Sequence, residues 1–230
     1  MKPVKVAWGK VAGEAVLIVA SVFMAISLES LWQQRSDAAE ARVALVGLLQ
    51  ELRADQAFIP MVTAEQEVVA GVHSDLLNWF TDAESLPTES VHEAFQKLQD
   101  TGLTMWPRRA AWSTMVAAGQ VSLLDDPELI AHLGDHYEYR QQRLTYNEQY
   151  YDAHKFSFEF DSLPKIWDFQ RRRLLTEDSV RISEFRNQIL KLNRWSQWYL
   201  GYLAGDYGRD LNALISEVEH YLMAHGDAIE

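Results

Sequence analysis

Cysteine is absent from the 230 residues, which excludes disulfides, thiolate metal sites and cysteine nucleophiles together. Glycine-rich phosphate loops, the His-Glu-x-x-His order of zinc peptidases and the Gly-x-Ser-x-Gly elbow are also missing, so no common catalytic signature is present. Positive charge is in short supply: 21 Lys and Arg face 33 Asp and Glu, a net charge of −12. The first 32 residues carry three Lys and two Glu, a balance of +1, and the rest of the chain therefore holds −13. An acidic body of this kind repels nucleic acid and anionic membrane surfaces, and no nucleic-acid partner is expected. Proline is scarce, with six residues, and there is no repeat or low-complexity segment.

One long apolar run is present. From Val11 to Leu31, VAGEAVLIVASVFMAISLESL, about 21 residues reach roughly 32 Å as a helix, enough for a hydrocarbon core of about 30 Å. Trp8 and Trp32 flank it where indole rings favour the headgroup layer. A cleaved secretory signal is the rival reading, since Lys2, Lys5 and Lys10 form a basic leader and Ala25-Ile26-Ser27 loosely fits a cleavage site. The apolar stretch is longer than a signal core, and an uncleaved anchor is expected. More basic residues precede the span than follow it closely, which places residues 1–10 in the cytoplasm, 11–32 in the membrane and 33–230 outside. In a bacterium, the location would be the inner membrane with a periplasmic body.

Glu14 and Glu29 sit near the two ends of the span, where boundary carboxylates can snorkel to water. A sharper reading comes from helix geometry. At 100° per residue, Glu14, Ser21, Ala25, Glu29 and Trp32 share one side, whereas Val16, Val19, Phe23 and Ile26 occupy the other. Small and polar residues gather where spanning helices touch. The stripe is therefore expected to meet another spanning subunit or a copy of this chain.

Beyond the membrane the spacing is helical throughout. Residues 33–59 read as a stalk continuing the span, with apolar positions at Val43, Val46 and Leu49 or at Leu45, Leu48 and Leu52, and Pro60 marks a kink or junction. A bundle over 60–230 follows. It comprises a helix over Met61 to Phe80, a shorter one from a Ser90/Glu93 capping box to Asp100, an extended connector over Leu103 to Pro107, and a small helix over Arg108 to Ala118. A long helix starts at Asp126-Pro127-Glu128 and runs for about thirty residues. KFSFEFDS, from Lys155, reads as a fraying helix end or aromatic turn, because a lone strand would have no partner. A last helix begins near Thr176 or Asp178, with a break or close packing near Gly205. The fold class is all-α: an anchor helix, a stalk and an antiparallel helical bundle.

The run WQQR at Trp32 to Arg35, LQELRAD at Leu49 to Asp55, Ala111-Trp112, and AGQVSLLDDPEL from Ala118 to Leu129 resemble a family of uncharacterised bacterial single-span membrane proteins. The likeness covers roughly the first 140 residues. It implies a helical, membrane-anchored bacterial protein and no catalytic activity.

Three constellations carry possible chemistry. Glu128, His132 and His136 recur every four residues with Asp135 nearby, a spacing that could ligate zinc, although a polar helix face explains it equally well. Trp195, Trp198, Tyr199 and Tyr202 form the densest aromatic group, used as bundle core or as a docking surface. Arg171 to Arg173 reads as a solvated patch or a pairing site for acids. No cofactor or resident metal is expected. The chain reads as a non-enzymatic accessory or scaffolding subunit, docking through span and bundle onto a larger membrane complex, of respiratory or photosynthetic type for example, or onto itself. The alternatives are a ligand-binding sensor that signals through a partner and a metal-dependent enzyme.

Overall fold

The computed structural model describes residues 8–81 and 86–225, with side chains from Leu17 onward except Gln34. The expected cytoplasmic segment falls largely outside these residues, and the side chain of Glu14 lies outside them as well.

The scaffold is a single helix, α1, spanning Trp8–Trp79. Its first part is apolar and exposed on every side from Leu17 to Gln33. Its second part is the spine of the core, because Leu45, Leu48, Leu52, Val62, Val69 and Leu76 recur at helical spacing and are buried. The expected stalk is corrected here. Residues 33–59 are part of the bundle, whose cover begins within a few turns of the span, and Val43 points to solvent while Leu45, Leu48 and Leu49 are covered. Pro60 is likewise no junction, since α1 runs through it. Its missing N–H costs about 3 kcal/mol in an isolated helix interior, but buried residues on both sides hold the line.

Around α1 lie α2 (Thr88–Asp100), α3 (Ala110–Ala117) and a 3-10 turn (Gln120–Leu123). The expected Ser90/Glu93 cap does not form; α2 starts at Thr88 after Pro87 without a side-chain cap. Helical residues then run unbroken from 127 to 166 as α4 (Pro127–Asp135), a π turn (His136–Arg140), α5 (Gln141–Ser157), a second π turn (Phe158–Ser162) and α6 (Leu163–Ile166). The Asp126 carboxylate accepts from the Glu128 and Leu129 N–H groups at 3.0 Å, the cap that the sequence announces. KFSFEFDS is thus helical with a widened turn, and the helix passes Pro164. A widened turn just before proline relieves the ring's clash with the carbonyl four residues back.

Strand does occur. Trp167–Asp168 (β1) pairs antiparallel with Arg173–Leu174 (β2), so the basic triplet belongs to a hairpin. The Asp168 carboxylate accepts from the Gln170 and Arg171 N–H groups, Arg172 takes a positive φ of 51°, and its guanidinium pairs with Glu89 of α2. The last helical run, 179–224, comprises α7 (Ser179–Gly201), a third π turn (Tyr202–Tyr207) and α8 (Gly208–Ala224), begun by the Asp178 cap on Val180 N–H. No break occurs at Gly205. The tight position is Gly208, where a Cβ would lie 2.9 Å from the Leu203 carbonyl oxygen.

Run 179–224 is antiparallel to α1, since Leu77 meets Arg186 while Gln56 meets Asn212 and Arg53 meets Glu219. It is antiparallel to run 127–166 too, with Tyr151 on Trp195 and His136 on Asp210. The first and third π turns face each other: the His136 and Tyr207 rings lie 5.3 Å apart. A π turn adds a residue and rotates the following face, so two facing insertions keep the seam in register above and below.

Candidate functional site

Four places could carry function: a buried polar seam, a histidine–aspartate cluster, a groove between α5 and α7, and the span. The seam is explained by the connector between α2 and α3. Residues 101–109 have no regular secondary structure and dip into the core at Thr104 and Met105, both buried. Irregular backbone inside a helical bundle has neither a helix nor a ladder to join, so its N–H and C=O groups need side-chain partners. Glu65 accepts from the Gly102 and Leu103 N–H groups at 2.8 and 2.9 Å, and Gln66 donates to the Leu103 carbonyl at 2.8 Å. The Tyr199 hydroxyl accepts from Met105 N–H at 2.7 Å and donates to Glu148 at 3.1 Å. Asp55 accepts from Arg108 N–H at 2.9 Å and from its guanidinium at 2.6 Å, while Gln141 donates to the Arg108 carbonyl at 3.1 Å.

Asp55, Glu65, Gln66, Gln141 and Tyr199 thus hold the connector's backbone, and Glu148 holds the Tyr199 hydroxyl. Burial lifts the Glu148 carboxyl to about 8, opposed by the Tyr199 hydrogen bond and helped by Asp152. Burial also raises Asp55 above the usual carboxylate range, against the lowering effect of Arg108. His73 is pushed down to about 4 by burial, with the Lys155 charge adding to it.

The histidines of the zinc-spacing motif are bound to carboxylates of α8. His132 meets Glu217 at 2.7 Å and Asp210 at 3.1 Å; His136, fully buried, meets Asp210 at 2.8 Å. Arg140 completes the cluster at 2.8 Å from Asp210 and 2.7 Å from Asp135. Burial works against a charged His132, but Glu217 and Asp210 outweigh it and raise its pKa. Burial would raise Asp210, and His136, His132 and Arg140 bring it below its ordinary value instead. Glu128 stays exposed in the first turn of α4 and joins neither histidine. Among the described residues no group has metal-ligand geometry. The cluster fastens α4 and the first π turn to α8.

The aromatic group is divided by the fold. Trp195, Tyr199 and Tyr202 are buried core residues, which excludes them from a docking surface and bears out the bundle-core use for these three, and Trp198 is 36% exposed. The reason is heptad geometry: positions 195, 199 and 202 lie on the inward seam, and 198 lies at its edge. Trp198 forms one rim of a groove of about 350 Å³ between α5 and α7, with Tyr151, Leu192 and Trp195 as floor and Tyr150 on the opposite rim. Tyr151 and Trp195 stack at 3.8 Å, and the Arg143 guanidinium lies 6.0 Å from the Trp198 ring. Asn147, Tyr150, Lys191 and Arg194 also line the groove. Sequence reasoning missed them because the two stripes lie some forty residues apart and become one surface only when the helices pair.

In the span, Ser21 donates to the Ile18 carbonyl of its own helix at 2.8 Å, while Ala25, Glu29 and Trp32 are exposed. Nothing in the described chain covers this stripe.

Fold and site together define an all-α protein whose amino-terminal helix is long and apolar enough to cross a membrane. Within that class, the chain belongs to DUF6090, a family of unknown function whose model matches residues 14–193. The match runs beyond the first 140 residues to which the likeness extended in the sequence, and it takes in the hairpin and part of α7. No curated protein and no solved structure matches the chain.

Proposed function

We propose that this protein is a non-enzymatic accessory subunit, anchored by one spanning helix and docked through it onto a neighbouring membrane subunit or a second copy. The observation that supports this reading is α1: one helix carries a bare apolar half and a core half, so the bundle is held rigidly to whatever its span contacts. A stripe of Glu14, Ser21, Ala25, Glu29 and Trp32 suits close helix approach in lipid. A structural use of the buried carboxylates supports it too: Asp55 accepts from the Arg108 N–H of the connector, and Glu148 accepts from the Tyr199 hydroxyl that holds Met105 N–H. In this reading the protein lies in a bacterial inner membrane, with its amino terminus cytoplasmic and its bundle periplasmic.

Purification in mild detergent tests the proposal. A stoichiometric co-purifying subunit or a defined oligomer is expected, weakened by a Ser21→Leu, Ala25→Leu double variant. A monodisperse monomer with no companion overturns it. The sensor reading draws support from a separate observation, the α5/α7 groove, since a ligand there would touch α7, which packs against the helix that enters the membrane.

A further inference from the structure

We infer that the groove between α5 and α7 binds a small organic anion with a flat apolar body, an aromatic carboxylate in chemical class. This goes beyond the docking role and stands without it. The floor of Tyr151, Leu192 and Trp195 is nearly water-free, and a volume of about 350 Å³ falls within the range of small-molecule sites. The floor rings are stacked on one another, so the aromatic area open to a ligand is that of Tyr150 and Trp198 at the rims. The indole N–H of Trp195, nine-tenths buried, has no acceptor among the described residues.

Charge identifies the ligand's sign. Lys191 and Arg194 lie at the groove, and neither forms an ion pair among the described residues. No Asp or Glu lines this groove. In a chain of net charge −12, two unpaired cations beside an aromatic floor form a local site for a carboxylate.

Length and position narrow the class. The depression further along, towards α6, is lined by Asp161 and Glu184 as well as Lys165 and Arg181. The surface suited to an anion is therefore only a few helical turns long, which fits a small molecule better than an extended acidic peptide. Bilayer lipid is out of reach. Tyr199 sits at the level of the connector, which Gln66 also grips, and Gln66 is roughly 50 Å along α1 from Trp32, against about 7 Å of headgroup layer.

The test uses the full chain in phosphatidylcholine nanodiscs, titrated calorimetrically with 2-naphthoate and, separately, with uncharged 2-naphthamide; empty nanodiscs supply the blank. Saturable one-to-one binding of naphthoate is expected, at least tenfold tighter than the amide. A Lys191→Gln, Arg194→Gln double variant should weaken it at least tenfold with the melting temperature unchanged, because both side chains are exposed. An Arg209→Gln variant on α8 should bind as the parent does. Absence of saturable binding, equal affinity for the amide, or indifference to the double variant overturns the proposal.

Discussion

Glu148 and His73 are both buried and both titrate outside their ordinary ranges, but they bend the stability curve in opposite directions. The folded protein holds a proton on Glu148 up to about 8, which the unfolded chain gives up near 4.5. Its stabilising contribution is therefore complete below the unfolded value and is lost as pH rises through about 8. Glu148→Gln keeps a neutral side chain beside Tyr199 and should raise stability at pH 8–9 by on the order of 1–2 kcal/mol, leaving pH 4 nearly unchanged. Thermal unfolding at the two pH values checks this; an equal effect at both would show that Glu148 is not the titrating group. For His73 the folded value is about 4 against 6.5 unfolded. Stability then falls as pH drops from 6.5 towards 4, and His73→Gln should flatten that limb while leaving the alkaline one in place.

The connector also shows, at this scale, what the buried polar residues of the core do. In sequence, Asp55, Glu65, Gln66, Gln141, Glu148 and Tyr199 carry no common signature, because their shared task is set by a segment remote from most of them. Only the threading of 101–109 through the bundle brings them together. The zinc-spacing histidines show the converse. Their spacing was legible, but spacing on one helix cannot reveal that α8 supplies Asp210 and Glu217 as partners.

The elements differ in how far local rules reached. The cap at Asp126 operates within three residues, and there expectation and structure coincide; of the two starts left open for the last helix, the structure takes Asp178. Breakers fared worse. Pro60, Pro164 and Gly205 each interrupt a helix on propensity alone, and each is overridden where packing on both sides or a π turn supplies the missing compensation. The hairpin was missed because its strands are two residues each, too short for any alternation to appear. At Gly208 a new methyl would press on the Leu203 carbonyl within the third π turn. Gly208→Ala, ordinarily helix-stabilising, should here cost about 1–2 kcal/mol. A rise in melting temperature would mean that the π turn can relax to α geometry.

At the scale of the whole molecule, the absence of cysteine becomes an experimental asset. Ser183→Cys, at an exposed position of α7, introduces a single thiol at the end of the bundle away from the span. In intact spheroplasts a membrane-impermeant maleimide should label it without lysis, as a periplasmic bundle requires. Labelling only after lysis would reverse the proposed orientation and leave the fold untouched.

Composition and local spacing by themselves determined the all-α class, the apolar segment at residues 11–32, the acid excess and the helix start at Asp126, because each depends on residues within a few turns of one another. Tertiary structure alone decided that the stretch after the span is core, that buried carboxylates serve a threaded backbone, and that Trp198 is presented while Trp195, Tyr199 and Tyr202 are hidden. Those outcomes depend on which helix lies across from which, and pairing between distant segments leaves no local trace in the order of the amino acids.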